Sequence, residues 1–67
     1  MNKFSERLKE LRIENNLTQS KLSKETNISQ SAIVRWELNQ RAPSVDNIIT
    51  LAKFFKVTSD YLIGLED

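Results

Sequence analysis

The segment spanning residues 27–37, NISQSAIVRWE, combines apolar anchors with side chains that can form hydrogen bonds. If the segment is helical, Ile28, Ile33 and Trp36 lie on one buried face. The other face then carries no carboxylate, and its residues are Ser29, Gln30, Ser31, Val34 and Arg35. Hydroxyl, amide and guanidinium groups beside a branched apolar group match the donors, acceptors and thymine methyl of the DNA major groove. Because a face that loses its water against a polyanion would exclude carboxylates, the segment predicts nucleic-acid recognition.

The distribution of charge along the chain favours an anionic partner on one side. The 67 residues, enough for one small domain over 1–67, hold 10 Lys or Arg and 9 Asp or Glu, a net charge of +1. Residues 1–41 carry eight Lys or Arg against five Glu, which gives +3, and residues 42–67 carry two Lys against four Asp or Glu, which gives −2. A basic part followed by an acidic tail suits a molecule that approaches an anion with one face. The alternative is that a difference of this size is ordinary scatter.

Two missing residue types limit the chemistry that the chain can perform. The sequence contains neither Cys nor His. This excludes a disulfide, a thiolate zinc site and a His-activated nucleophile, so we expect no metal, no cofactor and no enzymatic activity. The first residues, MNKFSERLKE, lack an apolar signal region, and no apolar run is long enough to span a bilayer. We therefore expect a cytoplasmic protein without a membrane partner.

The apolar residues recur at helical spacing, and the chain has only one Gly and one Pro, which predicts an all-α fold of five short helices in a compact bundle. The stripe of Phe4, Leu8 and Leu11 predicts a first helix over 3–15. The predicted N-caps are Thr18, Ser29, Ser44 and Thr58, and the helix capped by Ser29 runs to about Leu38. The predicted chain reversals are Asn15-Asn16, Asn27, Asn39 and Gly64. The other residues predicted to face inward are Leu22, Ser23, Thr26, Ile48, Leu51, Ala52, Phe55, Tyr61 and Leu62.

The second and third helices, joined by one tight turn at Asn27, form a helix-turn-helix pattern over about residues 18–38. A tight turn makes the two helices cross steeply, which requires a small residue at the crossing, and Ser23 occupies that position. The start of the third helix then projects from the body of the bundle. In that position it could enter the major groove of DNA.

The chain resembles the Cro/lambda-repressor-like (XRE-type) helix-turn-helix family over nearly its whole length. The motifs that carry the resemblance are Leu8–Arg12, Leu17-Thr18-Gln19, Leu22-Ser23, Ile28–Ser31, Ile33, Arg35-Trp36-Glu37, Arg41, Pro43-Ser44, Leu51-Ala52 and Asp60-Tyr61-Leu62. The sequence departs from the family where two usual Gly residues are Asn27 and Asn39, the usual Ala is Ser23, and a frequent Glu is Lys21. Asn tolerates a positive φ, and the Ser23 hydroxyl would have to bond back to its own helix. The departures leave the predicted fold unchanged.

The resemblance implies which side chains would contact DNA bases. The predicted base contacts are Gln30, Ser31, Val34 and Arg35. A Gln amide at the start of the recognition helix can bond adenine at N6 and N7 together, and a branched methyl can contact thymine. Two assignments stay open: Arg35 could reach a guanine edge or a phosphate, and Ser29 could serve as the helix cap instead of contacting DNA.

The resemblance also implies the residues that hold the backbone of DNA and the scaffold. The predicted phosphate contacts are Thr18, Gln19, Lys21, Ser29, Asn39, Gln40 and Arg41. By resemblance, Gln19 also braces Gln30. Arg12 and Glu37 would form a partly buried structural ion pair, and Trp36 would belong to the core. The charged residues of the first helix, including Arg7 and Lys9, are interpreted as a solvated face.

These features together predict a sequence-specific regulator of transcription that binds double-stranded DNA and acts as a repressor. A single module buries little surface, so we expect a homodimer on a near-palindromic operator. The apolar residues predicted for the dimer interface are Phe54, Ile63 and Leu65, although Phe54 and Ile63 could instead pack internally. The alternative function is a protein-interaction module on the same fold, an antirepressor or an antitoxin, for which Ile13 and Leu38 would be exposed contacts.

Overall fold

The chain forms five α-helices in a computed structural model that describes residues 3–67. The helices are α1 (Phe4–Glu14), α2 (Gln19–Thr26), α3 (Gln30–Glu37), α4 (Val45–Phe55) and α5 (Ser59–Ile63). This part of the chain contains no strand, so the prediction of an all-α bundle of five short helices is confirmed. Of the predicted domain over 1–67, residues 1 and 2 lie outside the described residues.

Four of the helices begin with a hydroxyl side chain that accepts a hydrogen bond from a backbone amide three residues later. The cap residues are Thr18, Ser29, Ser44 and Thr58, with oxygen-to-nitrogen distances of 3.0 to 3.2 Å. Each bond satisfies an N–H group that the first turn of a helix leaves unpaired. All four predicted caps are therefore confirmed.

The chain reverses direction at residues in the left-handed backbone region. Asn16, Asn27 and Asn39 have φ values of 58°, 60° and 58°, and Gly64 has a φ of 89°. Asn and Gly adopt this region at lower cost than other residues, as the sequence predicted. Lys56, with a φ of 59°, also lies in the left-handed region and ends α4. A Lys at this position did not predict a chain reversal.

The core is one cluster to which all five helices contribute. Its buried members are Phe4, Leu8, Leu11, Leu22, Ala32, Ile33, Trp36, Leu51, Ala52 and Leu62. The rings of Phe4 and Trp36 meet edge to face, with centroids 5.8 Å apart. Ile28, which was predicted to be buried with Ile33 and Trp36, is only half-buried and packs against the edge of this cluster.

The crossing of α2 and α3 differs in one detail from the prediction. The Ser23 hydroxyl donates to the backbone carbonyl of Ile28 in the connection to α3, and so does not bond back to its own helix. Ile28 lies just beyond the left-handed turn at Asn27, and its carbonyl therefore comes within reach of Ser23. The bond ties the turn to α2 and sets the direction in which α3 leaves it.

The C-terminal segment folds back on α1 through Arg7. The Arg7 guanidinium lies 4.1 Å from the centre of the Tyr61 ring and donates to the backbone carbonyl of Tyr61 at 2.6 Å. It also donates to the carbonyl of Glu66. The interpretation of Arg7 as part of a solvated face is therefore wrong, because sequence spacing on α1 does not reveal a contact 54 residues away.

Candidate nucleic-acid interface

The outer face of α3 presents polar side chains that have no partner among residues 3–67. Gln30, Ser31 and Arg35 are exposed, and Val34 is half-buried beside them. Within residues 3–67, the side chains of Gln30, Ser31 and Arg35 form no hydrogen bond or ion pair. One amide, one hydroxyl and one guanidinium thus remain available on a single helix face. The structure places together the four residues predicted as base contacts, while their contacts with DNA stay a prediction.

A bidentate ion pair fixes the end of α3 to α1. Arg12 Nε donates to Glu37 Oε2 at 2.7 Å, and Arg12 Nη2 donates to Glu37 Oε1 at 3.0 Å. The two side chains retain 13% and 5% of their exposure. Arg12 Nη1 also donates to the carbonyl of Leu17, so the same guanidinium holds the α1–α2 connection. The hydrogen bond with Glu37 raises the pKa of Arg12 above its ordinary value, which outweighs the opposite effect of burial.

Gln19 joins this ion pair, which the sequence did not predict. Gln19 Nε2 donates to Glu37 Oε1 at 3.1 Å. Within the described chain, no hydrogen bond links Gln19 to Gln30, so the predicted bracing of Gln30 by Gln19 is wrong for this structure. An ionised carboxylate is a stronger acceptor than a neutral amide, which explains why the Gln19 amide turns toward Glu37. Gln19 is half-buried at the start of α2, so part of its surface remains accessible to solvent.

The residues predicted as phosphate contacts flank α3 on two sides, and all except the half-buried Gln19 are exposed. They are Thr18, Gln19, Lys21 and Ser29 on the α2 side, and Asn39, Gln40 and Arg41 after α3. Capping uses only an acceptor lone pair of the Thr18 and Ser29 hydroxyls, so each O–H group is still able to donate. The caps therefore leave both hydroxyls available to a phosphate oxygen.

The first backbone N–H groups of the loop after α3 already donate hydrogen bonds to α3. The backbone N–H of Asn39 donates to the backbone carbonyl of Trp36, and the backbone N–H of Gln40 donates to the backbone carbonyl of Arg35. Ser5 on α1 donates to Asn39 Oδ1 at 3.2 Å, which leaves the two N–H donors of the Asn39 amide free. Any phosphate bound by Asn39 or Gln40 must therefore be held by the side chain.

A groove of about 360 Å³ separates the start of α2 from the ends of α1 and α3. Its lining residues are Lys9, Arg12, Thr18, Gln19, Val34, Glu37 and Leu38. The groove therefore joins a residue predicted to contact bases with two residues predicted to contact phosphate.

Residues 3–67 offer neither a cluster of metal ligands nor a membrane-spanning helix. They contain no group of three or more Asp, Glu, His or Cys side chains placed to hold a metal ion. None of the described helices combines the length and apolar character that crossing a bilayer requires.

Comparison with known proteins identifies relatives of the whole bundle. A profile of the helix-turn-helix family matches residues 8–62. The HTH-type transcriptional activator BcrR of Enterococcus faecalis is 38% identical over 64 residues, which are 96% of this chain and 31% of the relative. The HTH-type transcriptional regulator ImmR of Bacillus subtilis is 31% identical over 64 residues, which are 96% of this chain and 50% of the relative. The chain thus spans half or less of the length of these two curated relatives.

A solved structure shows the same architecture. The crystal structure of the restriction-modification controller protein C.AhdI from Aeromonas hydrophila matches with a TM-score of 0.81 and 33% sequence identity. The match covers 90% of this chain and 91% of C.AhdI. Because the family profile spans most of the chain and the fold is shared with a controller protein, the chain belongs to the Cro/lambda-repressor-like (XRE-type) helix-turn-helix family of transcriptional regulators.

Proposed function

We propose that this chain binds double-stranded DNA in a sequence-specific way, with α3 as the recognition helix. The observation that carries the proposal is the face of α3 on which Gln30, Ser31 and Arg35 are exposed and unpartnered within the described residues. Buried or satisfied side chains would have no free donor or acceptor to offer a base edge. The membership of a family of transcriptional regulators supports the same role.

The dimensions of α3 suit the major groove. An α-helix is about 10–12 Å in diameter with its side chains, and the major groove of B-DNA is about 12 Å wide, so a helix such as α3 fits into it. Gln30 is the first residue of α3, where a side chain reaches deepest, and its amide would bond adenine. Ser31 and Arg35 would donate to neighbouring base edges or to a phosphate, and Val34 would contact a thymine methyl.

Phosphate contacts on both sides of α3 would set its register in the groove. On one side the donors are Thr18, Gln19, Lys21 and Ser29, and on the other they are Asn39, Gln40 and Arg41. Arg12 and Glu37 hold α3 against the scaffold and so act as structural residues. A recognition helix fixed in this way loses little conformational entropy on binding.

The size of the chain supports binding as a homodimer. Residues 3–67 extend over 27 Å along their longest axis, whereas the half-sites of a helix-turn-helix operator lie about 34–36 Å apart. One copy would therefore reach one half-site, and two copies would read a near-palindromic operator. For the dimer contact we propose Phe54, Ile63 and Leu65; Leu65 is 72% exposed, and Phe54 and Ile63 keep part of their apolar surface accessible.

We further propose that binding represses transcription. A compact module that covers an operator can occlude a promoter without contacting another protein. One relative is named a transcriptional activator, so the position of the operator would decide whether binding activates or represses transcription. A DNA-binding role implies the compartment that holds DNA, the cytoplasm, and requires no cofactor, metal or catalytic step.

A second candidate function is a protein-interaction module on the same fold, such as an antirepressor or an antitoxin. It is favoured by Ile13 and Leu38, which are 56% and 60% exposed. An apolar side chain left in water at this level is common when it occurs singly, so the observation carries less weight than the face of α3.

Selection of bound duplexes from a random pool, followed by sequencing, tests the proposal. We expect enrichment of a near-palindromic motif whose half-sites lie one helical turn apart, with affinity that falls steeply as salt is raised. Retention of duplexes without any enriched motif, together with a flat salt response, would reject DNA recognition and favour the interaction module.

A further inference from the structure

We propose that Lys9 on α1 is an additional phosphate contact, which brings the first helix into the DNA interface. The inference rests on the proposed DNA-binding function and deepens it. Lys9 was predicted to lie on a solvated face of α1. In the structure Lys9 is exposed, and it also lines the groove between α1, the start of α2 and the end of α3.

The neighbours of Lys9 in that groove are residues of the proposed interface. Thr18 and Gln19, two of the proposed phosphate contacts, line the groove together with Lys9. Val34, a proposed base contact, lines it from α3. A DNA strand held at Thr18 and Gln19 would therefore pass the mouth of the groove, where the side chain of Lys9 is exposed.

Among the described residues that line the groove, Lys9 is the cation that forms no ion pair. The groove contains one carboxylate, Glu37, and that group is occupied by both Arg12 and Gln19. Within residues 3–67, Lys9 itself forms no ion pair or hydrogen bond through its ammonium group. The acidic neighbour Glu6, one turn away on α1, is exposed and also unpaired in the described chain. Glu6 does not line the groove, and the charged residues that do, Lys9 and Arg12 against Glu37, have a net charge of +1 (2 − 1).

The chemistry of lysine suits this position. An ammonium group on a flexible four-carbon stem binds phosphate as a point charge and can follow the backbone of a duplex whose exact path varies. Neutralising one phosphate releases condensed counterions, which makes the contact detectable as a change in salt dependence. A contact of this kind carries no sequence information, so it would act equally on all operators.

The test compares Lys9→Gln with Lys53→Gln in the full chain. Both variants remove one exposed positive charge, but Lys53 lies on α4 and is not part of the groove lining. Affinity for a fixed duplex carrying the selected motif is measured from low to high salt, per chain bound. We expect Lys9→Gln to make the negative slope of log affinity against log salt shallower by about 0.9, which corresponds to a loss of roughly eightfold at 0.1 M salt. Lys53→Gln should change affinity by less than about twofold, because charge outside the interface is screened.

The outcomes separate this proposal from the proposed function. Unchanged thermal unfolding of Lys9→Gln would show that the exposed substitution leaves the fold intact. If the unaltered chain binds DNA with a steep salt slope but Lys9→Gln has the same slope, Lys9 is not a phosphate contact and the proposed function stands. If Lys9→Gln and Lys53→Gln lose affinity equally, only net charge matters and the assignment of Lys9 is wrong. If the unaltered chain shows no salt-dependent binding, the proposed function and the role of Lys9 both fail.

Discussion

Replacing Glu37 with Gln should loosen the attachment of the recognition helix to its scaffold. The Glu37 carboxylate accepts two hydrogen bonds from Arg12 and one from Gln19, at distances of 2.7 to 3.1 Å. A Gln side chain has the same shape but offers one carbonyl oxygen, and its amide group would face the donors of Arg12. The substitution therefore removes the charge and at least one of the two bonds that hold Arg12.

The expected loss follows from the burial of the pair. Breaking a fully buried ion pair lowers stability by about 3–5 kcal/mol. Here Arg12 keeps 13% of its side-chain exposure and its bond to the Leu17 carbonyl, so we expect a smaller loss, about 2 kcal/mol. A single core of this size supplies only about 3–5 kcal/mol, so roughly half of the stability would disappear. The melting temperature should fall by roughly 8–16 °C.

The assay is urea unfolding at neutral pH, followed by the fluorescence of Trp36, which is the sole tryptophan and is buried. The hydrogen bond with Glu37 raises the pKa of Arg12. The stability that is linked to protonation of Arg12 is therefore fully present at neutral pH. It would be lost only as the pH rises through the raised pKa in strong alkali. The control is Glu14→Gln, which removes an exposed carboxylate of α1 that forms no ion pair within residues 3–67. It should change the free energy of unfolding by less than about 0.5 kcal/mol.

A double-mutant cycle isolates the interaction. Arg12→Gln alone leaves Glu37 as an unpaired, nearly buried carboxylate, whereas the double variant leaves two neutral amides that can bond to each other. We expect the two substitutions to couple by at least about 1 kcal/mol. Additive effects would refute the idea that this pair holds α3, and so would a Glu37→Gln variant as stable as Glu14→Gln.

Three further variants test the interface and one strained turn. Gln30→Ala should lose about 1–3 kcal/mol of discrimination at one base position while unfolding stays unchanged, as measured by competition between single-base variants of the selected duplex; intact discrimination would reject Gln30 as a base contact. Ser5→Ala should weaken binding by about 0.5–1 kcal/mol because Asn39 loses the bond that orders its amide, and equal affinity would mean that Asn39 does not depend on Ser5. Lys56→Gly should raise the free energy of unfolding by roughly 1 kcal/mol, since Lys56 lies in the left-handed region, and a decrease in urea unfolding would count against strain at that residue.

Much of the local structure follows from the amino-acid sequence because it depends on interactions between neighbouring residues. A hydroxyl ahead of an apolar stripe can reach the amide three residues later whatever the rest of the chain does, and Thr18 and Ser44 both do so. Asn at a chain reversal needs only its own tolerance of a positive φ, as at Asn16 and Asn39. The α3 face that carries Gln30 was likewise predictable, since helical periodicity determines which residues share a face.

The arrangement of the interface depends on how the helices cross, which no local pattern specifies. Gln19 bonds Glu37 across 18 residues and Ser5 bonds Asn39 across 34, contacts that exist only once α1, α2 and α3 have packed together. Because of the same packing, the exposed Lys9 lies at the edge of a groove. Lys56 adopts a left-handed backbone because α4 ends there and the chain turns into α5. The bundle requires this turn, and the residue type at position 56 does not predict it. The sequence by itself therefore determined the helices, their caps and their faces. The tertiary structure decided which polar groups are in contact, because those contacts depend on how distant segments pack around a shared core.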